Sequence, residues 1–562
     1  MNPLPTFCSE PWGFALLSDK QSTMGERSMV SGEGSPRAFA PVGHSVNWGG
    51  ASGRAPRAGP SFIWNGQHIA SWHVPAGHRE TSRRTDLEFR WRCMESGSEG
   101  TLVQTSVLQR PETIDTNSES ATQGRFLDWL IHSFQELGQD QLEENDSSAS
   151  GVVRRDWNRA DSVWLDPDPN EPRIELIIRM AQDKRLRHTL ESISHNPRRI
   201  LLRVREQIPI SRIKELDTAC IRSYVRRSGR DAIEKAGTRQ ELLAVQRKAS
   251  HDTLENRVTA WTLENLISRA ERWKRLQGTR ARAGMRFRAV SSLSRDAFEY
   301  RTSEAIGEAQ TSSLTHPVPA NYPLMMEPRY KRVYLAYREL LRYEKIKDDS
   351  WTWRRVLWSE AVTQLLSCTL RRLFDEVSSS FPYYRSEPDR GRWLIAPASA
   401  GPFSTKMGPL YVVDTHEADL FPDGQLRGNS ALHDPIWELL GVLGCDLLLW
   451  WPDKGRFFPV WSLLWTGDAA GWKSHLENAA RAIHRFSRQL KLTNSPSILT
   501  RGLIIGSSLT NSAIDIDSIS VGEATAVAIP VPMALETQTV ETFTELVHTL
   551  SQAIELAVDL PQ

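Results

Sequence analysis

Ser250 to Gln277 reads S-H-D-T-L-E-N-R-V-T-A-W-T-L-E-N-L-I-S-R-A-E-R-W-K-R-L-Q, and no glycine or proline interrupts it before Gly278. Asp252 or Thr253 is placed to cap a helix, and Glu255 and Asn256 fall in its first turn, where acceptors satisfy free backbone N–H groups. Leu254, Val258, Trp261, Leu266, Ile267, Ala270 and Trp273 recur at near-helical spacing. The stretch therefore predicts a long helix with one buried face.

Around this helix the chain is rich in arginine. Between Pro197 and Gly229 stand Arg198, Arg199, Arg203, Arg205, Arg212, Lys214, Arg222, Arg226 and Arg227, against only Glu206, Glu215 and Asp217. Ile200, Leu201, Val204, Ile208, Ile213 and Val225 supply packing positions, so the arginines are expected on an exposed face of an ordered element. Basic character resumes with Arg269, Arg272, Lys274, Arg275, Arg280, Arg282, Arg286 and Arg288. Arg198, Arg199, Arg203, Arg226, Arg227, Arg272 and Arg275 are the candidate phosphate contacts. An ordinary solvated face, or one paired with acids from elsewhere, is the competing reading.

The D-T-x-E-N-R element resembles one found in a bacterial family of McrC-like proteins. The approach to it, P-I-S-R-I-K-E-L-D from Pro209 and R-R-S-G-R-D-A-I-E-K-A-G from Arg226, is similar as well, so the resemblance covers roughly Pro197 to Gln277. It implies a helical domain followed by a nuclease fold of the PD-(D/E)XK class. It also implies a separate AAA+ motor partner of the McrB kind and a role in antiviral defence or restriction. From the residues alone, Asp252, Glu255, Asn256 and Arg257 are expected to cap and brace their helix.

The whole chain has 562 residues, enough for several domains, with 69 Lys and Arg against 68 Asp and Glu. Overall balance supplies no bulk field, so a polyanion site must come from local clustering. Five scattered cysteines without a C-x-x-C pair argue against a disulfide framework or a structural zinc and fit a reducing cytoplasm. No run approaches the roughly 20 apolar residues of a membrane span, and the N-terminus lacks the form of a signal peptide.

The expected architecture is an α+β multidomain chain. Residues 1–60, dense in Gly, Ser and Pro, read as a disordered arm. Residues 61–170 read as a β-rich domain with one helix and a linker. Phe62 to Met94 carries strands, with Asn65-Gly66 as a hairpin signal and Leu87, Phe89, Trp91 and Cys93 in alternation. Gly124 to Gly138 is an amphipathic helix, and Asp166 to Pro172 marks a boundary. His68, His73 and His78 are spaced by five, which suits neither a strand face nor a helix face, so no metal is expected there. Residues 171–325 form the basic helical domain, with Arg295 to Pro323 loop-like, and residues 326–562 form an α/β domain.

In that last region one helix carries Tyr330, Val333, Tyr337 and Leu340 as a stripe, and a second carries Trp353, Leu357, Ala361, Leu365 and Cys368. Glu360 lies on the second stripe, where an unpaired carboxylate would be costly. The acid that PD-(D/E)XK nucleases often place on the helix before their sheet is similar to Glu360. Strands then alternate with a helix from Trp472 to Leu490, and Val540, Phe543, Val547, Leu550 and Ile554 mark a final helix. That chemistry needs one acid on a strand and a (D/E)-x-K on the next, to hold Mg²⁺ and neutralise the phosphate. Asp446 opens the first strand. On the next, Pro459-Val-Trp-Ser-Leu-Leu-Trp465, Trp461 and Leu463 are expected where the acid and lysine belong. Asp468 or Glu477 could substitute, whereas Asp414, Glu417 and Asp419 read as a solvated turn. No phosphate-binding G-x-x-x-x-G-K-[ST], no G-x-G-x-x-G after a strand and no G-x-S-x-G appears. Three functions remain: a DNA-engaging subunit with a degenerate nuclease-like fold and no cofactor, an active Mg²⁺-dependent endonuclease built on Glu360 and Asp446, or a protein scaffold.

Overall fold

The computed structural model describes residues 6–8, 12, 37–41, 44–48, 57–58, 62–64, 67–73, 85–93, 99–106, 119–137, 157–165, 175–277, 282, 284–352, 354–374, 384–387, 392–394, 399–414, 443–466, 469–492, 499–508, 516–532, 548–552 and 554. The chain divides into two compact units: Asn170–Glu344, and Met1–Pro169 together with Lys345–Gln562. It is mixed α/β, with a large mixed sheet in its C-terminal part.

The N-terminal strands are β1 (Thr6–Cys8), β2 (Arg37–Pro41), β3 (His44–Trp48), β4 (Arg57–Ala58), β5 (Phe62–Trp64), β6 (Gln67–His73), β7 (Thr85–Cys93) and β8 (Glu99–Ser106). β1, β2, β6 and β4 follow one another in one sheet, with β5 also paired to β6, and β3, β7 and β8 form another. Four of these strands fall in residues 1–60, and Trp12 is 1 % exposed beside Trp461. The described parts of that segment are thus ordered, contrary to the arm expected there. Strands of two to five residues are too short to register a period between Gly, Ser and Pro. β5 and β6 pair with Trp64 opposite Gln67, across the two residues Asn65-Gly66. Helices α1 (Glu119–Leu137) and α2 (Trp157–Trp164) follow.

The unit Asn170–Glu344 opens with α3 (Leu176–Gln182) and α4 (Lys184–His195). Next come β9 (Ile200–Pro209), α5 (Thr218–Arg226), α6 (Ala232–Ala236) and β10 (Glu241–Ser250). β9 and β10 form an antiparallel ribbon of ten residue pairs, from Ile200↔Ser250 to Pro209↔Glu241. The central region is therefore not purely helical. Val204-Arg-Glu-Gln-Ile208 and Leu242-Leu-Ala244 carry the alternation of strands, masked by the arginines.

After the ribbon come α7 (Leu254–Leu276), α8 (Met285–Thr302), α9 (Glu304–Gly307), α10 (Tyr322–Met326) and α11 (Pro328–Thr352). The stretch expected as loop from Arg295 is helical to Thr302, because Val290, Leu293 and Ala297 bury one face against α7. Val258, Leu263, Leu266, Ala270 and Trp273 of α7 pack with Leu186, Leu190, Tyr330, Val333 and Tyr337 in this unit's core.

The polar residues at the start of α7 hold that core in register. Thr253 is the cap, its hydroxyl accepting from the Asn256 N–H at 3.3 Å. The Asn256 amide, fully buried, donates to the Arg198 and His251 carbonyls, both at 2.7 Å. Its oxygen accepts from the Tyr330 hydroxyl at 2.7 Å, and that hydroxyl accepts from the Arg198 N–H at 2.7 Å. Asp252 takes two hydrogen bonds from Arg257, at 2.7 and 2.6 Å, and one from the Gln310 N–H at 3.2 Å. The Arg257 guanidinium holds the Asp252 carboxyl below the usual carboxylate range.

In the other unit α12 (Arg354–Leu373) precedes β11 (Tyr384–Glu387), β12 (Arg392–Leu394), β13 (Ser399–Thr405), β14 (Gly408–Asp414), β15 (Leu447–Trp451) and β16 (Arg456–Thr466). Then come α13 (Ala469–Leu492), β17 (Arg501–Ser508), β18 (Asp517–Val521) and β19 (Ala524–Pro532). β11 pairs with β12, and the remaining seven strands form one sheet in the order β13-β14-β15-β16-β17-β19-β18. β13 to β16 are successively antiparallel, and β17 runs parallel to β16, as the α13 crossover requires.

Both faces of this sheet are covered. Leu447, Leu449, Phe458, Val460, Leu503 and Ile505 meet α12 together with α1 and α2, while Leu448, Trp450, Phe457, Trp461, Leu463 and Ile504 meet α13. The period-2 alternation is therefore hidden in near-continuous apolar strands. Of the last expected helix, Leu550 and Ile554 are buried in the first of these cores, and Val540, Phe543 and Val547 lie outside the described residues. Trp353, Asp468, Glu417 and Asp419 also lie outside them, as does His78.

Replacing Asn256 by Ala strips partners from buried groups, each worth about 1–3 kcal/mol. A loss of about 2–4 kcal/mol is expected in urea unfolding of the full chain. Tyr330 supplies a pH signature, since burial pushes its phenol up to about 12. A raised phenol favours the neutral form in the folded chain. Its stabilising share is complete below the ordinary value of 10 and is lost as pH rises towards 12. The fall in urea midpoint over that interval is expected to be smaller in Tyr330→Phe.

Candidate functional site

Asp446 sits one residue ahead of β15 and is 1 % exposed. Its N–H donates to the Val460 carbonyl at 3.0 Å, which pins it to β16. One carboxylate oxygen accepts from both the Ser462 N–H and the Ser462 hydroxyl at 2.8 Å. The other oxygen faces the Arg355 guanidinium of α12 at 3.8 Å. A desolvated carboxylate is thereby satisfied by two neutral donors and a counter-charge from the preceding helix.

The neighbouring strand settles which side chains meet the acid. Trp461 and Leu463, expected in the places of the second acid and the lysine, turn instead into the core under α13, and the Trp461 indole donates to the Leu443 carbonyl at 3.0 Å. Ser462 faces Asp446, and Leu464, two residues on, packs towards α12. The expected register is corrected by one residue, and in a strand a shift of one exchanges the two faces. With Ser and Leu at these positions and both Asp446 oxygens engaged, the residues present do not fit a divalent metal. Among the described residues no group of three or more His, Cys, Asp and Glu is arranged to hold one. Glu360 is 5 % exposed on the buried face of α12, and it is Arg355 of the same helix that lies at 3.8 Å from Asp446. Glu477, on α13, pairs with Arg481 at 3.2 Å.

The candidate phosphate contacts separate into two groups. Arg198 is drawn to Glu255 and Glu327, both at 3.8 Å, and its backbone belongs to the Asn256 cluster. Arg203 pairs with Glu215, which also takes Arg247 at 3.2 Å, and Arg205 pairs with Asp217 at 2.6 Å. The Cys220 N–H and then the Arg205 guanidinium hold Asp217 far below the usual carboxylate range. Arg227 donates to the Glu241 carbonyl at 2.7 Å and to Gln207 at 2.9 Å, clamping the end of α5 to both strands of the ribbon. These three candidates, Arg198, Arg203 and Arg227, brace the fold. Arg199, Arg226, Arg272 and Arg275 are exposed, and among the described residues none of the four is in an ion pair.

Division into units also reveals a charge asymmetry hidden in the total. Asn170–Glu344 carries 35 Lys and Arg against 21 Asp and Glu, a net of +14. The remaining residues carry 34 against 47, a net of −13, and the two sum to the +1 of the chain. The bulk field absent from the whole molecule is present in each unit, with opposite sign.

Residues 168–296 match the model of a domain of unknown function, DUF2357. The match takes in α3 to the middle of α8, including the ribbon and the whole of α7. No curated protein matches the chain.

Ser462→Ala removes one of the donors closed around Asp446, and a loss of about 1–3 kcal/mol is expected in urea unfolding. Ser462→Thr keeps the hydroxyl and is expected to recover most of it.

Proposed function

We propose that the chain is a DNA-engaging accessory subunit, in which the basic unit contacts phosphates and the nuclease-like unit acts as a scaffold without cleaving. The charge asymmetry carries this reading. A net of +14 concentrated in Asn170–Glu344 gives a polyanion one unit to bind, and Arg199, Arg226, Arg272 and Arg275 are exposed there to meet it. A net of −13 on the other unit opposes approach of a phosphate backbone, as expected of a fold that no longer handles one.

Support for a nuclease-like ancestry comes from element order. From α12 to β17 run a helix, the β11–β12 pair, four successively antiparallel strands β13 to β16, a crossover helix and a strand parallel to β16, with Asp446 just ahead of β15. The second acid and the lysine of that class are replaced by Ser462 and Leu464. The resemblance of the D-T-x-E-N-R element to McrC-like proteins adds a role in antiviral defence or restriction, in the cytoplasm. It adds too a separate AAA+ partner of the McrB kind to supply nucleotide-driven work. No helix of the described residues is long and apolar enough to cross a membrane.

The test is binding of the full chain to linear DNA across a salt series, with plasmid cleavage followed in Mg²⁺ and Mn²⁺. Binding that weakens with salt and no cleavage is expected. In Arg272→Gln/Arg275→Gln the slope of log affinity against log salt should flatten by about 1.8, roughly 0.9 for each phosphate no longer neutralised. Cleavage abolished by Asp446→Ala would overturn the scaffold role, and absence of any binding would overturn the DNA role.

A further inference from the structure

In the acidic unit, α13 gathers positive charge on one face. His484, Arg488 and Lys491 follow one another at three- and four-residue spacing and so share a helix face. They line a concavity of about 270 Å³ closed on its other side by Gly522, Glu523 and Ala524, the turn between β18 and β19. This is below the roughly 300–1,000 Å³ of pockets for drug-sized ligands and leaves room for a small group only.

The turn is built to come close. Gly522 has φ +62°, and a Cβ there would stand 2.7 Å from Cε1 and 2.8 Å from Nδ1 of the His484 ring. Glycine therefore lets the turn lie directly over the imidazole and fixes its place in the wall. Glu523 pairs with Lys491 at 2.7 Å, and that ammonium holds the Glu523 carboxyl below the usual range. Ser487, beneath the groove, spends its hydroxyl on the Leu499 carbonyl. Arg488 is exposed at the rim and, among the described residues, is in no ion pair.

We propose that this groove binds a phosphoryl group, with Arg488 and His484 as its donors and with Glu523 competing for Lys491 until the ligand displaces it. Arg488 presents the planar fork that matches two phosphate oxygens, and Lys491 is a mobile point charge able to leave one anion for another. Such a site is independent of the arginines of the basic unit and of any DNA-binding role they have. Its ligand is either a free phosphate compound or the terminal phosphate of a nucleic acid.

Titration calorimetry of the full chain with sodium pyrophosphate tests it. Saturable binding is expected, weakened at least tenfold in Arg488→Gln. Glu523→Gln releases Lys491 and is expected to tighten binding severalfold, a gain that misfolding would not produce. Competition by a 5′-phosphorylated single-stranded oligonucleotide but not by its 5′-hydroxyl form would identify the source as a nucleic-acid end. Competition by neither oligonucleotide would identify it as a free phosphate compound. No saturable binding, or binding unaltered in both Arg488→Gln and Glu523→Gln, would overturn the proposal.

Discussion

Covering both faces of the β13–β19 sheet removes water from its strands, and most of the unit that holds it follows from that constraint. Side chains between α12 and α13 have to be apolar, which is why β15 and β16 read as Leu447-Leu-Leu-Trp-Trp451 and Phe457-Phe-Pro-Val-Trp461. A carboxylate admitted to such a place cannot be left to solvent. Asp446 is met by the Ser462 N–H and hydroxyl at one oxygen and faces the Arg355 charge at the other, so both oxygens a metal would use have partners. What reads in sequence as half of a catalytic motif is, in three dimensions, a closed polar contact between a helix and two strands.

In the basic unit the equivalent constraint is a buried amide. Asn256 reaches the chain just before β9, the chain just before α7 and the first turn of α11, so a ribbon, a helix start and a second helix meet at one side chain. The D-T-x-E-N-R residues share this work: Thr253 caps, Asp252 accepts from the Gln310 N–H while held by Arg257, and Glu255 accepts from Asn321 at 2.8 Å. Many of the arginines around them are taken up in the same fashion. Positive charge here stands in two settings, one paired internally and one exposed, and composition alone does not separate them.

Much of this is legible from the residues. The apolar period and Thr253 place α7, Asp446 stands at the mouth of its strand, and Trp472 to Leu490 falls within α13. The bracing role of Asp252 and Arg257 agrees with what capping chemistry suggests, but Gln310 lies too far along the chain to be anticipated. Trp461 and Leu463 fall on the face opposite to the one expected, because a strand buried on both sides gives no polar alternation to fix its register. Opposite net charges stay invisible because they depend on a boundary at Glu344, inside α11, where neither Gly nor Pro marks a break. The cationic groove is hidden for a related reason. Its lining joins α13 to a turn far along the chain, and only Gly522 hints at the close approach.

The basic unit is inserted into the other one, entering after Pro169 and leaving before Lys345. Phe126, Leu130 and Trp164 share a core with Trp358, Leu365 and Leu503, residues made far later on the ribosome. During synthesis the N-terminal helices must therefore wait, apolar faces uncovered, while the whole of the basic unit emerges. That unit closes its own core from Leu176 to Tyr343 first. Loop closure across the insertion is entropically easier once those residues are already compact than if they were a free coil. The order of the gene thus lets the basic unit complete its core before the core shared by Phe126 and Leu503 has all of its residues.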